Sequence, residues 1–225
     1  EFRRVLFRST AEVVLGVETS TLDASGDVVA TYDMAGVSLE DIREVVAEHL
    51  TGPIMQIPPM VSAVRVGGRR LHELAREGIE VEREPRPVTV HEFSVEPTDD
   101  PAVVRIDVTC SSGTYVRTLA ADLGHLLGGG AHLRELRRVS CGSFGETDAG
   151  SPDDAPMLSP VEAMRDRPMI VVDADTVAMV RNGRALPAPD GSGPWAIVGP
   201  DGGLVAMYER RDDATMKPSV VLAID

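Results

Sequence analysis

Residues 86–127 read RPVTVHEFSVEPTDDPAVVRIDVTCSSGTYVRTLAADLGHLL. Two β-rich runs, 86–97 and 101–110, alternate in polarity around the turn PTDDP, which predicts a pair of strands. From Thr114 to Leu127 the period changes to that of an amphipathic helix, with Leu119, Leu123, Leu126 and Leu127 facing inward. Gly128-Gly129-Gly130 then stops it. A strand pair feeding a helix without strict βαβ alternation predicts an α+β fold with a mixed or antiparallel sheet.

Outward from this stretch the pattern continues. Residues 10–19 (TAEVVLGVET) predict a strand, 23–27 a turn and 27–33 a second strand. Ser38 and Asp41 form an S-x-x-D capping box ahead of Ile42, Val45, Val46 and Leu50, a helix closed by Gly52-Pro53. The stretch 53–70 reads as loop and short strand, and Leu71 to Arg76 as a short helix capped by Gly78. Residues 137–146 predict another strand. The acidic segment TDAGSPDDAPMLSP (147–160) is a connection, followed by a helix at 159–165. Beyond Arg167-Pro168, the runs MIVVD, PWAIVG, LVAMYE and SVVLAI predict a small all-β unit over 167–225.

The opening EFRRVLFRS (1–9) reads as a non-native junction, because RVLFRS is what a common sequencing-adapter end gives in one translation frame; an ordinary basic strand is the other reading. The first domain is therefore placed at 10–166.

Composition is that of a globular chain, with 43% hydrophobic and 26% charged residues. No apolar run is long enough for a membrane span, and Cys110 and Cys141 fit a reduced cytosol better than a disulfide framework, so a cytoplasmic protein is expected. Cys110 and Cys141 lack the paired spacing of a zinc site and the five histidines are scattered, so no metal is expected. The net charge of −14 argues mildly against RNA, whose phosphates favour a basic footprint. Two basic places stand out: Arg65, Arg69, Arg70 and Arg76 against Glu73, and Arg134, Arg137 and Arg138 against Glu135.

Three segments carry chemistry. IPPMVSAVRVGGRRLHELAREGIEVEREPRPV (57–88) sets Gly67-Gly68 as a tight turn between Arg65 and Arg69-Arg70, presenting three guanidinium groups to a phosphate backbone; a solvated basic hairpin is the plainer reading. CSSGTYVRTLAADLG (110–124) places Tyr115 and Arg117 where a strand ends and a helix begins. There an Arg holds a carboxylate bidentately and a Tyr stacks on a base, unless the two merely pack and cap. GAHLRELRRVSCGSF (130–144) sets Leu136 as a lone apolar residue among charges.

In this order and spacing the three segments, with LGVETSTLDASGDV (15–28), NGRAL (182–186) and the AMYERRDDATMKPSVVLAID ending, resemble the TruB family of tRNA pseudouridine synthases over residues 10–225. The resemblance implies the pseudouridine-synthase sheet with flanking helices and a C-terminal PUA-like RNA-binding domain. It also implies isomerisation of the T-loop uridine (position 55) in the T-arm of tRNA by a monomeric, cofactor-free enzyme. The base is flipped out, a catalytic Asp attacks, the glycosidic bond breaks and the uracil is reattached through carbon. Tyr115 and Arg117 match the active-site Tyr-x-Arg, the Arg pairing the catalytic Asp, and Leu136 matches an apolar residue of the uracil pocket. A second Tyr of the family falls at Ser9.

The family's nucleophile sits in a G-x-L-D-P-x-A-T/S-G loop, and no such loop occurs in these 225 residues. Asp23 in TLDASG imitates it, but lies in the turn after LGVET and lacks the proline. Asp107 is mid-strand and Asp122 is within a helix. The expectation is an N-terminally truncated, inactive and less stable enzyme, with Arg117 left uncompensated and a sheet edge exposed. The rival expectations are a non-catalytic tRNA-binding or chaperone protein, and an acidic globular protein with no RNA role.

Overall fold

The computed structural model describes residues 6–155 and 157–222, so Glu1–Val5 of the expected junction lie outside the described residues. The fold is α+β, as expected, and its contacts divide it into two compact units that meet in sequence at Cys141/Gly142. The change of sequence pattern at 167 comes later than this division. Residues 143–148 are tied forward to the segment before 167: Arg165 binds Asp148 (2.8 Å) and the Ser143 hydroxyl (2.8 Å), and Asp166 accepts from the Ser143 amide (3.1 Å).

The first unit contains β1 (Leu6–Leu15), β2 (Val17–Thr19), β3 (Val28–Thr31), α1 (Leu39–His49), β4 (Gly52–Gln56), β5 (Arg65–Val66) and β6 (Arg69–Arg70). It continues with α2 (Leu71–Arg76), β7 (Arg86–Pro97), β8 (Val103–Ser111), α3 (Val116–Leu126) and β9 (Ala131–Cys141). Within it the main sheet runs β9-β1-β8-β7-β4, all antiparallel. Cross-strand pairs Val13–Leu133, Ala11–Leu136 and Ser9–Arg138 put these side chains on one face. That face carries the core, where Val13, Ile106 and Val108 meet Leu119 and Leu123 of α3 and Ile42 and Val46 of α1.

The local signals held where capping decides. Ser38 caps α1 reciprocally with Asp41. Glu77, Gly78 (φ +70°) and Ile79 end α2 in a Schellman motif, with the Gly78 amide on Ala75 and the Ile79 amide on Leu74.

Other expectations need correction. Leu126 is 44% exposed, because α3's inward stripe runs through Leu119, Leu123 and the partly buried Leu127. The short strand expected within 53–70 begins one residue earlier, at Gly52, whose φ of +87° turns the chain straight into pairing with β7. The strand expected at 137–146 starts at Ala131, where pairing to β1 begins. Leu6–Ser9 are not set apart from the fold: they continue β1, with Arg8 bonded through Nε to Asp107 (3.0 Å) and Phe7 under Arg138.

The second unit holds β10 (Phe144–Gly145), α4 (Pro160–Ala163), β11 (Met169–Val171), α5 (Ala174–Arg181), β12 (Leu186–Pro187), β13 (Trp195–Val198), β14 (Leu204–Arg210) and β15 (Thr215–Val221). Its sheet runs β11-β13-β14-β15-β12 over a core of Val180, Trp195, Ile197, Val205 and Tyr208. The helix α5 was not expected. Asp173 caps it by accepting from the Thr176 amide at 2.8 Å.

Candidate functional site

The first unit gathers its unusual chemistry at the N-terminal end of α3. Gln56, the last residue of β4, is buried and hydrogen-bonds Tyr115 twice: Oε1 accepts from the Tyr115 amide (2.8 Å) and Nε2 donates to its carbonyl (3.1 Å). This two-point clamp fixes the backbone where β8 hands over to α3, and so fixes the direction of both Tyr115 and Arg117. Sequence reasoning missed Gln56. Its signal is a polar side chain inside the apolar run IMQIPP, which a buried strand end tolerates only when its amide is fully bonded.

Arg117 lies under a turn. Its Nη1 donates to Asp23 Oδ2 (2.7 Å) and more weakly to the Thr21 carbonyl (3.4 Å), and Nη2 donates to the Val61 carbonyl (2.7 Å). The side chains of Arg117 and Asp23 are only 22% and 24% exposed. The expectation that Arg117 is left uncompensated is therefore corrected, because Asp23 is its counter-ion.

Asp23 is tightly held in return. Oδ1 accepts from the hydroxyls of Thr21 (2.7 Å) and Ser25 and from the Ser25 amide (3.1 Å). Burial pushes this carboxyl up, but the Ser25, Thr21 and Arg117 donors outweigh it and bring the pKa down to about 2. The turn carries backbone strain as well: Leu22 has φ +63°, a left-handed conformation uncommon for a γ-branched residue. It is held by the Leu22 amide on Thr19 (3.1 Å), the Leu133 amide on Leu22 (3.1 Å) and the Ala24 amide on Leu133 (2.9 Å).

The other expected residues surround this pair in different ways. Leu136, on β9, is 48% exposed and shares its sheet face with Ser9 and Ala11. Ser9, where the resemblance places a tyrosine, is fully buried, and its hydroxyl has no hydrogen-bond partner among the described residues. Arg65, Arg69 and Arg70 lie on the β5–β6 hairpin, exposed, across a turn whose Gly67 (φ +59°) and Gly68 (φ +85°) both need positive φ. Arg69 is engaged by Glu77. Among the described residues no group of three or more His, Cys, Asp or Glu is placed to hold a metal ion.

These sites fall in segments with known relatives. Residues 8–116 match the TruB family pseudouridylate synthase N-terminal domain, 117–154 the tRNA pseudouridylate synthase B C-terminal domain, and 168–223 the tRNA pseudouridine synthase II C-terminal domain. The tRNA pseudouridine synthase B of Aromatoleum aromaticum is 41% identical over 92% of this chain and 70% of its own length. The chain belongs to the TruB family. The Halalkalibacterium halodurans TruB relative is 37% identical over 95% of this chain and 76% of its own length. The Symbiobacterium thermophilum relative reaches 45% identity, and this chain spans only 60% of it. Among solved structures, one of a Cbf5-Nop10-Gar1 complex aligns with a TM-score of 0.66 at 22% identity, over 97% of this chain and 66% of the other. That likeness adds the fold to the TruB assignment. The match to the TruB N-terminal domain begins at Arg8, inside the segment read as foreign, and its last two residues are Tyr115 and Val116.

Proposed function

We propose that this chain forms the base-receiving side of a tRNA pseudouridine synthase acting on the T-loop uridine at position 55. The nucleophilic Asp lies outside these 225 residues. The observation that carries the reading is the Arg117–Asp23 pair beside the clamped Tyr115. Among the described residues, three bonds, to Asp23, Thr21 and Val61, leave two of the five guanidinium donors for a further carboxylate.

In this reading Asp23 is a positioning group. Its Oδ1 already accepts three bonds and its Oδ2 faces Arg117, so neither oxygen is poised to attack a sugar carbon. Arg117 holds the incoming nucleophile, Tyr115 stacks on the flipped uracil, and Leu136 supplies apolar wall. The nucleophile's carboxylate bonds to the base or sugar, and the N–C glycosidic bond breaks. As the uracil is reattached through carbon the carboxylate is released, the carbon-bound proton goes to water and the freed ring nitrogen takes one up, so the product is an isomer with no redox change and no cofactor. Arg65 and Arg70, on an exposed hairpin, supply phosphate contacts from an otherwise acidic body. The second unit, with its five-stranded sheet, is read as a PUA-like RNA-binding module.

Binding of a T-arm stem-loop, followed by fluorescence anisotropy at low salt, tests the reading. Saturable binding that weakens in Arg117→Met and outcompetes a scrambled hairpin supports it. Equal affinity for both RNAs, or none, favours an acidic globular protein without an RNA role.

A further inference from the structure

The turn that carries Asp23 is held at two points along one face of α3, and the second point has no assigned role. Arg117, Ala121 and His125 are spaced i, i+4, i+8, so they line a single stripe about 12 Å long. The β2–β3 hairpin lies along this stripe. At one end Asp23 meets Arg117. At the other, Glu18 of β2 accepts from the His125 ring through Oε1 and from the Tyr32 hydroxyl through Oε2 (3.1 Å). Thr19, Thr21, Leu22, Ala121 and His125 wall a cavity of about 280 Å³ between the two contacts.

The Glu18 contact is built into tight packing. A Cβ on Gly130 would sit 2.4 Å from Glu18 Cγ and 2.7 Å from the Tyr32 ring, so the glycine makes room for both side chains. Below them the Gly16 amide bonds to Gly130 (2.7 Å), the Tyr32 amide to Gly16 (2.8 Å) and His132 Nδ1 to the Val17 carbonyl (2.9 Å). Glu18 is 18% exposed and His125 58%, which places the carboxylate in partial burial and the imidazole at its rim. The other charged groups nearby are Glu80 and Arg83, on the same cavity, and the half-buried Asp122 one turn back on α3, whose carboxyl is pushed up by burial.

We infer that Glu18 and His125 are positioning residues, a clasp that sets the register of the β2–β3 hairpin on α3 and thereby holds Asp23 on Arg117. Two contacts at the ends of one helical stripe fix both the translation and the tilt of the hairpin, whereas the Asp23 contact alone fixes a point. The strained Leu22 conformation needs such support from outside the turn. The consequence for the reaction rests on the function proposed above, but the geometric claim does not, and it is tested without RNA.

The test is amide hydrogen exchange in the whole chain at pH 7. The Ala24 and Leu133 amides, which bond across the turn, report its local opening, while Leu119 and Leu123 in the α3 core report global opening. In Glu18→Gln, exchange at Ala24 and Leu133 is expected to speed up by roughly three- to tenfold with Leu119 and Leu123 unchanged. His125→Ala, at an exposed position that does not threaten folding, repeats the effect, and His125→Lys, which restores an N–H donor toward Glu18, reverses most of it. The inference is overturned by unchanged exchange at Ala24 and Leu133 in both Glu18→Gln and His125→Ala. It is equally overturned by acceleration there only in step with Leu119 and Leu123, the signature of a purely structural contact.

Discussion

The Asp23 turn and the Arg65–Arg70 hairpin are two tight turns from the same unit, both rich in charge, and they behave as opposites. In the first, every polar atom of the Asp23 carboxylate is bonded, the backbone is strained, and the pairing arginine is mostly covered. In the second, the arginines stand in solvent, the glycines relieve the backbone, and the Arg69–Glu77 pair is about half exposed on both sides. An ion pair withdrawn from water is costly to break and so defines geometry. One in water costs little to break and leaves its cation available to a polyanion. The first turn is suited to placing reacting groups, the second to gathering a phosphate backbone.

The largest expected effect is at the covered pair. Arg117→Met strands the Asp23 carboxylate in partial burial and is expected to destabilise the chain by about 3 kcal/mol in urea unfolding. Arg69→Ala, its counterpart on the exposed hairpin, is expected to stay within about 0.5 kcal/mol. Equal costs for the two would erase the contrast.

Acid sharpens the comparison next. The folded pKa of Asp23 is lowered from 3.8 to about 2, so its contribution is fully present above the unfolded value and is lost as pH falls through the folded one. Stability is expected to drop by about 2 kcal/mol between about pH 4 and 2 through this group, at ~1.4 kcal/mol per unit. Asp23→Asn should flatten that part of the profile in urea titrations. An unaltered slope would mean the turn does not hold its carboxylate ionised.

Gln56→Leu tests the support behind the first turn. Losing both bonds to Tyr115 leaves its amide unpaired, while its carbonyl keeps the Leu119 amide (3.1 Å), for an expected cost of about 2 kcal/mol. On the hairpin, Arg65→Ala and Arg70→Ala should leave thermal stability unchanged. Each should reduce the slope of log affinity for T-arm RNA against log salt by about 1. A change of opposite sign is expected at Ser9, whose buried hydroxyl lacks a partner among the described residues: Ser9→Ala is expected to be neutral or stabilising by up to about 1 kcal/mol.

What the sequence disclosed follows the range of the interactions involved. The cap at Ser38, the Schellman end at Gly78 and the β7–β8 pair depend on residues a few positions apart, and all were legible. Tyr115 and Arg117 were legible as a motif, but their partners were not: Asp23 is 94 residues from Arg117 and Gln56 is 59 from Tyr115. Only the register of β1 on β9 and of β4 on β7 brings these together. The same distance hid the counter-ion of Arg117, which the sequence reading left without a partner. Helix α5 is masked in the sequence by the β-branched run ending at Val172, and its one local signal is the Asp173 cap.

The most direct test of the account is release of tritium from 5-tritiated uridine at position 55 of a T-arm stem-loop, under single-turnover conditions with the 225-residue chain in excess. The account predicts a bound stem-loop and no release above background, because in the proposed function Arg117 and Tyr115 receive the base while Asp23 only positions Arg117. Release by this chain, abolished in Asp23→Asn, would contradict it and make Asp23 the attacking group.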